Sequence, residues 1–233
     1  VDSCLILNSI VSDSDMLNIA LTGATNSLIE NCRTHDMPGG IVSDYYIAIL
    51  ADTRDSYNNT IRHCLAENDH AGADGHGGHG IGLKEKGSLN SPDYLLYGTT
   101  VEDCVTRNVD KAFYVRHQNV YDNRFKNCTA YNDDNSRARV GFLLRDGAHH
   151  NEFVNCRVKG SSEFSYKTIG VKAYVTDEDG IAPVSASDNR FENCIFEHTG
   201  VGIYLSSANY PSPAKNNTFV NCVFFNNNAG VLI

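Results

Sequence analysis

The sequence predicts an all-β solenoid, a single-stranded right-handed parallel β-helix of about eight coils, with residues 1–233 forming one domain. Three observations predict it: a cysteine-centred repeat, a second repeat of short apolar triplets, and the lack of any sustained 3.6-residue period. The cysteines fall at Cys4, Cys32, Cys64, Cys104, Cys128, Cys156, Cys194 and Cys222, with gaps of 28, 32, 40, 24, 28, 38 and 28 residues. Four of them close nearly identical runs: Asn123-Arg-Phe-Lys-Asn-Cys128, Asn151-Glu-Phe-Val-Asn-Cys156, Asn189-Arg-Phe-Glu-Asn-Cys194 and Asn217-Thr-Phe-Val-Asn-Cys222. Asn59-Thr-Ile-Arg-His-Cys64 is a weaker copy, as are the runs ending at Cys32 and Cys104.

A second strand follows in each unit. Its triplets are Ile19-Ala-Leu21, Ile49-Leu-Ala51, Ile81-Gly-Leu83, Phe113-Tyr-Val115, Phe142-Leu-Leu144, Val171-Lys-Ala173, Ile203-Tyr-Leu205 and Val231-Leu-Ile233. Their first and third members point inward and the middle one outward, the alternation of a half-buried strand. Short strands recurring every 24 to 40 residues, joined by loops of unequal length, make a stack in which each coil contacts only its neighbours. Asn at one place in successive coils forms an amide ladder, and Cys at another forms a column of small buried side chains. Parallel Cβ vectors are poor disulfide geometry, so free thiols are expected. Neither terminus supplies a polar capping unit, and a further domain or subunit is expected over the ends of the helix.

Composition narrows the function. Asp and Glu number 28 against 19 Lys and Arg, a net charge of −9, which argues against nucleic acid or an anionic membrane as the partner. No stretch approaches the roughly 18 apolar residues of a membrane span.

Ligands of such a helix lie along an outer face, so outward residues in register matter most. The positions after the triplets read Thr22, Asp52, Lys84, Arg116, Arg145, Tyr174 and Ser206, and the next ones include Glu85, His117 and Asp146. Three cations therefore stack in adjacent coils. Mutual ion pairing with Glu85 and Asp146 on a solvated face is the plain structural explanation. Against it, coils about 4.8 Å apart set like charges to repel by about 1 to 3 kcal/mol per contact unless an anion lies across them. An acidic polysaccharide would be that anion.

The same row suits chemistry at a uronate. A lysine made neutral by neighbouring cations removes the C5 proton, and two arginines neutralise the carboxylate and stabilise the enolate-like intermediate. Lys84 is the candidate base, Arg116 and Arg145 the neutralising pair, and His117 or Tyr114 the proton donor. Departure of the glycosidic oxygen gives β-elimination; proton return to the opposite face of C5 gives epimerisation. Asp52, His76, His79, Lys86, Tyr114, His149 and Tyr174 are the candidate substrate contacts. The insertion from Asp69 to Gly80 holds His76 and His79 and reads as a substrate-contact loop rather than a metal site. His79 is an alternative base. His149 and His150 either extend the groove or are ordinary turn residues. Paired carboxylates among Asp52, Glu85 and Asp146 leave a hydrolase as a minor alternative.

Gly80-Ile-Gly-Leu-Lys84 in one coil and Tyr114-Val-Arg116-His117-Gln-Asn119 in the next resemble polysaccharide lyase family 6, which includes alginate lyases and chondroitinase B. The resemblance covers about residues 76 to 156. It implies Lys84 as base and Arg116 as acid or carboxylate partner, on a secreted, periplasmic or cell-surface enzyme. The family's carboxylates that hold calcium fall at spacings occupied here by Gly77 and His79, so the expectation is that no cofactor is required, with calcium left open as the alternative. Glu85 and Gln118 also depart from the family pattern. A looser similarity to mannuronan C5-epimerases lacks their Asp-Pro-His motif. The rival from another class is a non-catalytic glycan-binding or structural helix, such as an adhesin or tailspike.

Overall fold

A computed structural model describes residues 1–14, 17–35, 45–68, 78–85, 94–133, 139–161, 167–174, 185–205 and 214–233. Among these, three parallel sheets of eight strands each run the length of the molecule, one strand per sheet per coil. The first sheet runs from Leu5–Leu7 to Thr218–Val220, the second from Ile10–Ser12 to Val223–Phe225, and the third from Leu17–Thr22 to Ala229–Leu232. A short fourth sheet, Ser56–Tyr57, Leu96–Tyr97 and Val120–Tyr121, lies between the third and the first in the chain.

The repeat's polar residues make the corners. Entering the second sheet, each coil turns on one left-handed residue: Asn8, Asn31, His63, Asp103, Asn127, Asn155, Asn193 and Asn221. Entering the first sheet, the same role falls to Ser3, Asn26, Asn58, Gly98, Asp122, His150, Asp188 and Asn216. All have φ between 50° and 63°. That conformation costs an ordinary L-residue about 1–2 kcal/mol, and Asn, Asp, His and Gly tolerate it best. The Asn-Cys and Asn-Asn pairs of the sequence are these corners.

Inside, the expected ladders are present. Asn123 Nδ2 donates to Asn151 Oδ1 at 3.0 Å, Asn151 to Asn189 at 3.1 Å and Asn189 to Asn217 at 3.0 Å. Each Oδ1 also accepts the backbone N–H of the preceding ladder residue, so one side chain satisfies polar groups of two coils. Phe125, Phe153, Phe191 and Phe219 stack with centroids 4.3 to 4.9 Å apart. All eight cysteines are free thiols.

The first coil departs from the expected frame. Cys4 is not the first member of the cysteine column; its carbonyl accepts from Leu28, which places it beside Ser27 in the asparagine column. Ser9, whose carbonyl accepts from Arg33, holds the place that cysteine takes from Cys32 onward. The 28-residue gap between Cys4 and Cys32 imitates the repeat without sharing its register. Exposed large apolar side chains gather in the terminal coils, with Ile10 at 72% and Ile233 at 93%.

Candidate functional site

The third sheet presents the outer face on which the site stands. Parallel pairing sets Leu50 beside Lys84, Lys84 beside Arg116, Arg116 beside Arg145 and Arg145 beside Tyr174. The expected cation row is therefore in register. Asp52 is not part of it: Ile47, not Ile49, pairs with Ile81, so Leu50 takes that position and Asp52 lies beyond the strand. Every residue from Tyr45 to Ala51 is apolar or aromatic, and alternation alone permits either frame. Without Asp52, the carboxylate trio of a hydrolase is not assembled on this row.

Arg116 and Arg145 do not simply repel. Both Nε atoms donate to Asp146 Oδ2 at 2.8 Å, and the side chains of the three are only 9%, 6% and 8% exposed. Asp146 reaches back because it sits in the left-handed conformation at φ 55°, followed by Gly147 at φ 92°. The plain ion-pairing explanation is thus correct for this pair, except that the pair is buried rather than solvated. One carboxylate against two guanidinium groups leaves the triad one charge positive. Lys84, half-buried at the edge of the triad, extends the row.

A second cluster lies two to five residues earlier on the same strands. His79 is not in a loop but opens the strand His79–Glu85. Its ring stands edge-on between Tyr45 and Tyr114, 4.8 Å from each centroid, and Lys111 Nζ lies 2.8 Å from its Nε2. Burial, followed by the charges of Lys111, Lys84, Arg145 and Arg116, pushes His79 well below its ordinary pKa. The neutral ring accepts from Lys111 at Nε2, so its remaining proton is on Nδ1, which has no hydrogen-bond partner among the described residues. An Nε2 engaged in this way is unavailable as the alternative base. Gly82 is required here: a Cβ on it would lie 2.2 Å from Tyr45 Cε1. Tyr114 is 1% exposed, and burial pushes its phenol up against the opposing charges of Arg145 and Arg116.

His117 follows Arg116 at φ 85°, outside the usual left-handed well, and is 1% exposed. Its Nδ1 contacts the Glu85 carbonyl and lies 3.4 Å from Glu85 Oε2. Glu85 Oε1 is buried with no hydrogen-bond partner among the described residues. His149 is drawn away from the row. It stacks on Tyr121, 5.3 Å between centroids and 2° between planes, continuing a ladder with Tyr97 and Tyr57 around the corner. Burial and the neighbouring His150 lower its pKa. Tyr174 ends the row, with Arg145 Cζ 5.3 Å and Lys172 Nζ 4.4 Å from its ring centre. His76 and Lys86 lie outside the described residues.

Sequence reasoning missed two contributors. Lys111 and Tyr45 escaped because outward positions here fall at 79, 82 and 84; Gly80 points into the core against Thr106 and Val109, which breaks strict alternation. Asp146 was visible, but its capture of both arginines depends on the left-handed turn that the Asp146-Gly147 pair signals. Among the described residues no three His, Cys, Asp or Glu side chains converge as ligands, and His79, at one of the ligand spacings, is engaged with Lys111.

Residues 74–233 match the family described as a right handed beta helix region. No curated protein matches the sequence. Among solved structures, the A-module of the Azotobacter vinelandii mannuronan C-5 epimerase AlgE4 is similar at TM-score 0.51 and 10% identity, over 100% of this chain and 56% of that one. The chain thus spans about half of that module's length. The Streptococcus pneumoniae surface protein and adhesin PfbA is similar at TM-score 0.45 and 12% identity, over 99% of this chain and 67% of that one. At 10% identity the likeness to the epimerase module is one of fold.

Proposed function

The chain belongs to the right-handed β-helix family, and from that premise we propose that it is a polysaccharide lyase that cleaves a uronate-containing polymer by β-elimination. The observation that supports this most directly is the register of Lys84, Arg116 and Arg145 on three adjacent strands, with the arginines locked by Asp146. A polymer lying along the helix axis crosses these strands in turn. Lys84, as the neutral amine, takes the C5 proton. The electron pair moves onto the carboxylate, and the two buried guanidinium groups oppose the growing negative charge. The pair then forms the C4–C5 double bond as the C4–O bond breaks, and the leaving oxygen is protonated. Tyr114 retains its proton at neutral pH and is the donor in this scheme. Fixed donors of this kind are worth on the order of 10²–10³ in rate each. A polymer substrate places the enzyme outside the cytoplasm.

The test is ultraviolet absorbance of unsaturated uronate during incubation with alginate, pectate, chondroitin or dermatan sulfate, with Lys84→Ala as control. A rise on one polymer that Lys84→Ala abolishes, at an unchanged thermal midpoint, is the expected result. No absorbance rise, together with deuterium entering C5 from D₂O, overturns elimination in favour of epimerisation. No rise and no exchange leaves a non-catalytic glycan-binding helix.

A further inference from the structure

On the first and second sheets several cations face a carboxylate: Arg62 with Glu30, Arg124 with Glu152, Arg157 with Glu197, Arg190 with Glu192. Lys172 is different. It stands on the third sheet's outer face one strand beyond Arg145, in register with Leu143 and Tyr204. Its Nζ lies 4.4 Å from the ring centre of Tyr174 and 5.8 Å from that of Tyr204, and among the described residues no carboxylate is paired with it. A ring face attracts the ammonium without accepting its three N–H bonds at ordinary hydrogen-bond strength. In a chain of net charge −9 with 28 acidic residues, a cation that faces aromatic rings and no carboxylate among the described residues leaves room for an incoming anion.

Building on the proposed action at a uronate, we propose that Lys172, Tyr174 and Tyr204 form a distal carboxylate-binding position, in which Lys172 pairs with the carboxylate of a second uronate while the tyrosines pack against its sugar ring. The strand of Lys172 is three strands from that of Lys84, about 14 Å at roughly 4.8 Å per coil. This separates the two lysines by several sugars of one extended polymer, so the position reads chain length and charge beyond the reacting residue. Burial lowers the Lys172 pKa, opposed by Tyr204 and reinforced by Arg145, which fits an ammonium that gains from an anionic partner.

The experiment is affinity electrophoresis in gels containing polygalacturonate or polymannuronate, comparing the full chain with Lys172→Met, Lys172→Arg and Tyr204→Ala, and with Lys84→Ala as a separate variant. Thermal midpoints screen out misfolded variants. Loss of one charge-assisted bond corresponds to roughly ten-fold or more in dissociation constant. The expected result is that loss for Lys172→Met, a smaller one for Tyr204→Ala, and near-normal retardation for Lys172→Arg. Retardation of Lys172→Met equal to that of the unmodified protein overturns the distal position while leaving the lyase reading intact. Binding that Lys172→Met weakens, with no turnover of any polymer, keeps the position and overturns the lyase reading. No retardation by either polymer overturns the position.

Discussion

Asp146→Asn is the sharpest test of the site's electrostatics. Asn tolerates the left-handed φ of 55° at this position, so the backbone need not move. The change removes one negative charge from between two guanidinium groups whose side chains are 9% and 6% exposed. Breaking a buried ion pair by deleting one partner costs about 3–5 kcal/mol. An independent figure comes from the repulsion left behind: two unit charges one coil apart, about 4.8 Å at an effective dielectric of 20, repel by roughly 3.5 kcal/mol. The two estimates agree, and for a chain of this size they translate into a fall in thermal midpoint of about 6 to 20 °C. Thermal unfolding followed by circular dichroism at low ionic strength reads the shift. Added sulfate should recover part of it, since an anion able to enter between the arginines replaces what Asp146 supplied. A fall of less than about 2 °C, or no response to sulfate, would show that the arginines do not depend on Asp146 and that the row's electrostatics have been misassigned.

Two further outcomes follow from buried polar groups. Asn151→Ala removes an acceptor for both Asn123 donors and a donor to Asn189 Oδ1, Val120 O and His149 O at a site with 0% exposure. With each orphaned group costing about 1–3 kcal/mol, denaturation should show a loss of about 3 kcal/mol or more, against a distinctly smaller loss for Asn217→Ala at its half-buried position. His79→Gln tests a pH linkage. His79 has its folded pKa depressed below the ordinary 6.5, so below pH 6.5 the unfolded chain binds a proton that the folded one refuses, and stability falls as pH drops. Comparison of the parent and His79→Gln between pH 7.5 and 5 should therefore show the parent losing up to about 1.4 kcal/mol more per pH unit below 6.5; parallel curves would mean that the imidazole titrates normally.

The sequence carried most of the fold because the repeat encodes its own corners. An Asn, His or Asp before each Cys of the column from Cys32 onward is a residue that tolerates a left-handed turn, and the Asn five residues before most of these cysteines is the residue an amide ladder demands, so spacing and chemistry pointed to the same structure. Where it misled, two frames satisfied the same pattern. Cys4 matches the repeat spacing but belongs to the asparagine column, and the run from Tyr45 to Ala51 has no polar residue to mark which side faces out. In the site, linear reading found Lys84, Arg116 and Arg145, whose strands are regular after Gly82. It overlooked Lys111, because the strand bends inward at Gly80 before reaching that register. His149 was drawn into the groove by its nearness to Arg145 in sequence, whereas the corner carries it onto the Tyr121 stack.

The burial of the arginine pair bears on which kind of protein this is. A helix that only docked on an anionic glycan would be served by exposed lysines and arginines, which keep their hydration until the partner arrives. Removing two guanidinium groups from water carries an effective cost of several kcal/mol per ion, part of which the shared carboxylate of Asp146 offsets. A fold tolerates such a cost where it has a use, and functional sites are where stability is commonly sacrificed. Fixed charges held at low dielectric act more strongly on negative charge that develops during a reaction than on charge already present in a solvated polymer. Lys84, half-exposed beside that pair, is where a reacting group would meet both water-accessible substrate and a rigid positive field. That combination favours an enzyme over a spacer, and it makes Asp146→Asn informative about rate as well as stability: a simple binding face would gain affinity from the lost negative charge, whereas a preorganised site would lose turnover as its arginines come loose.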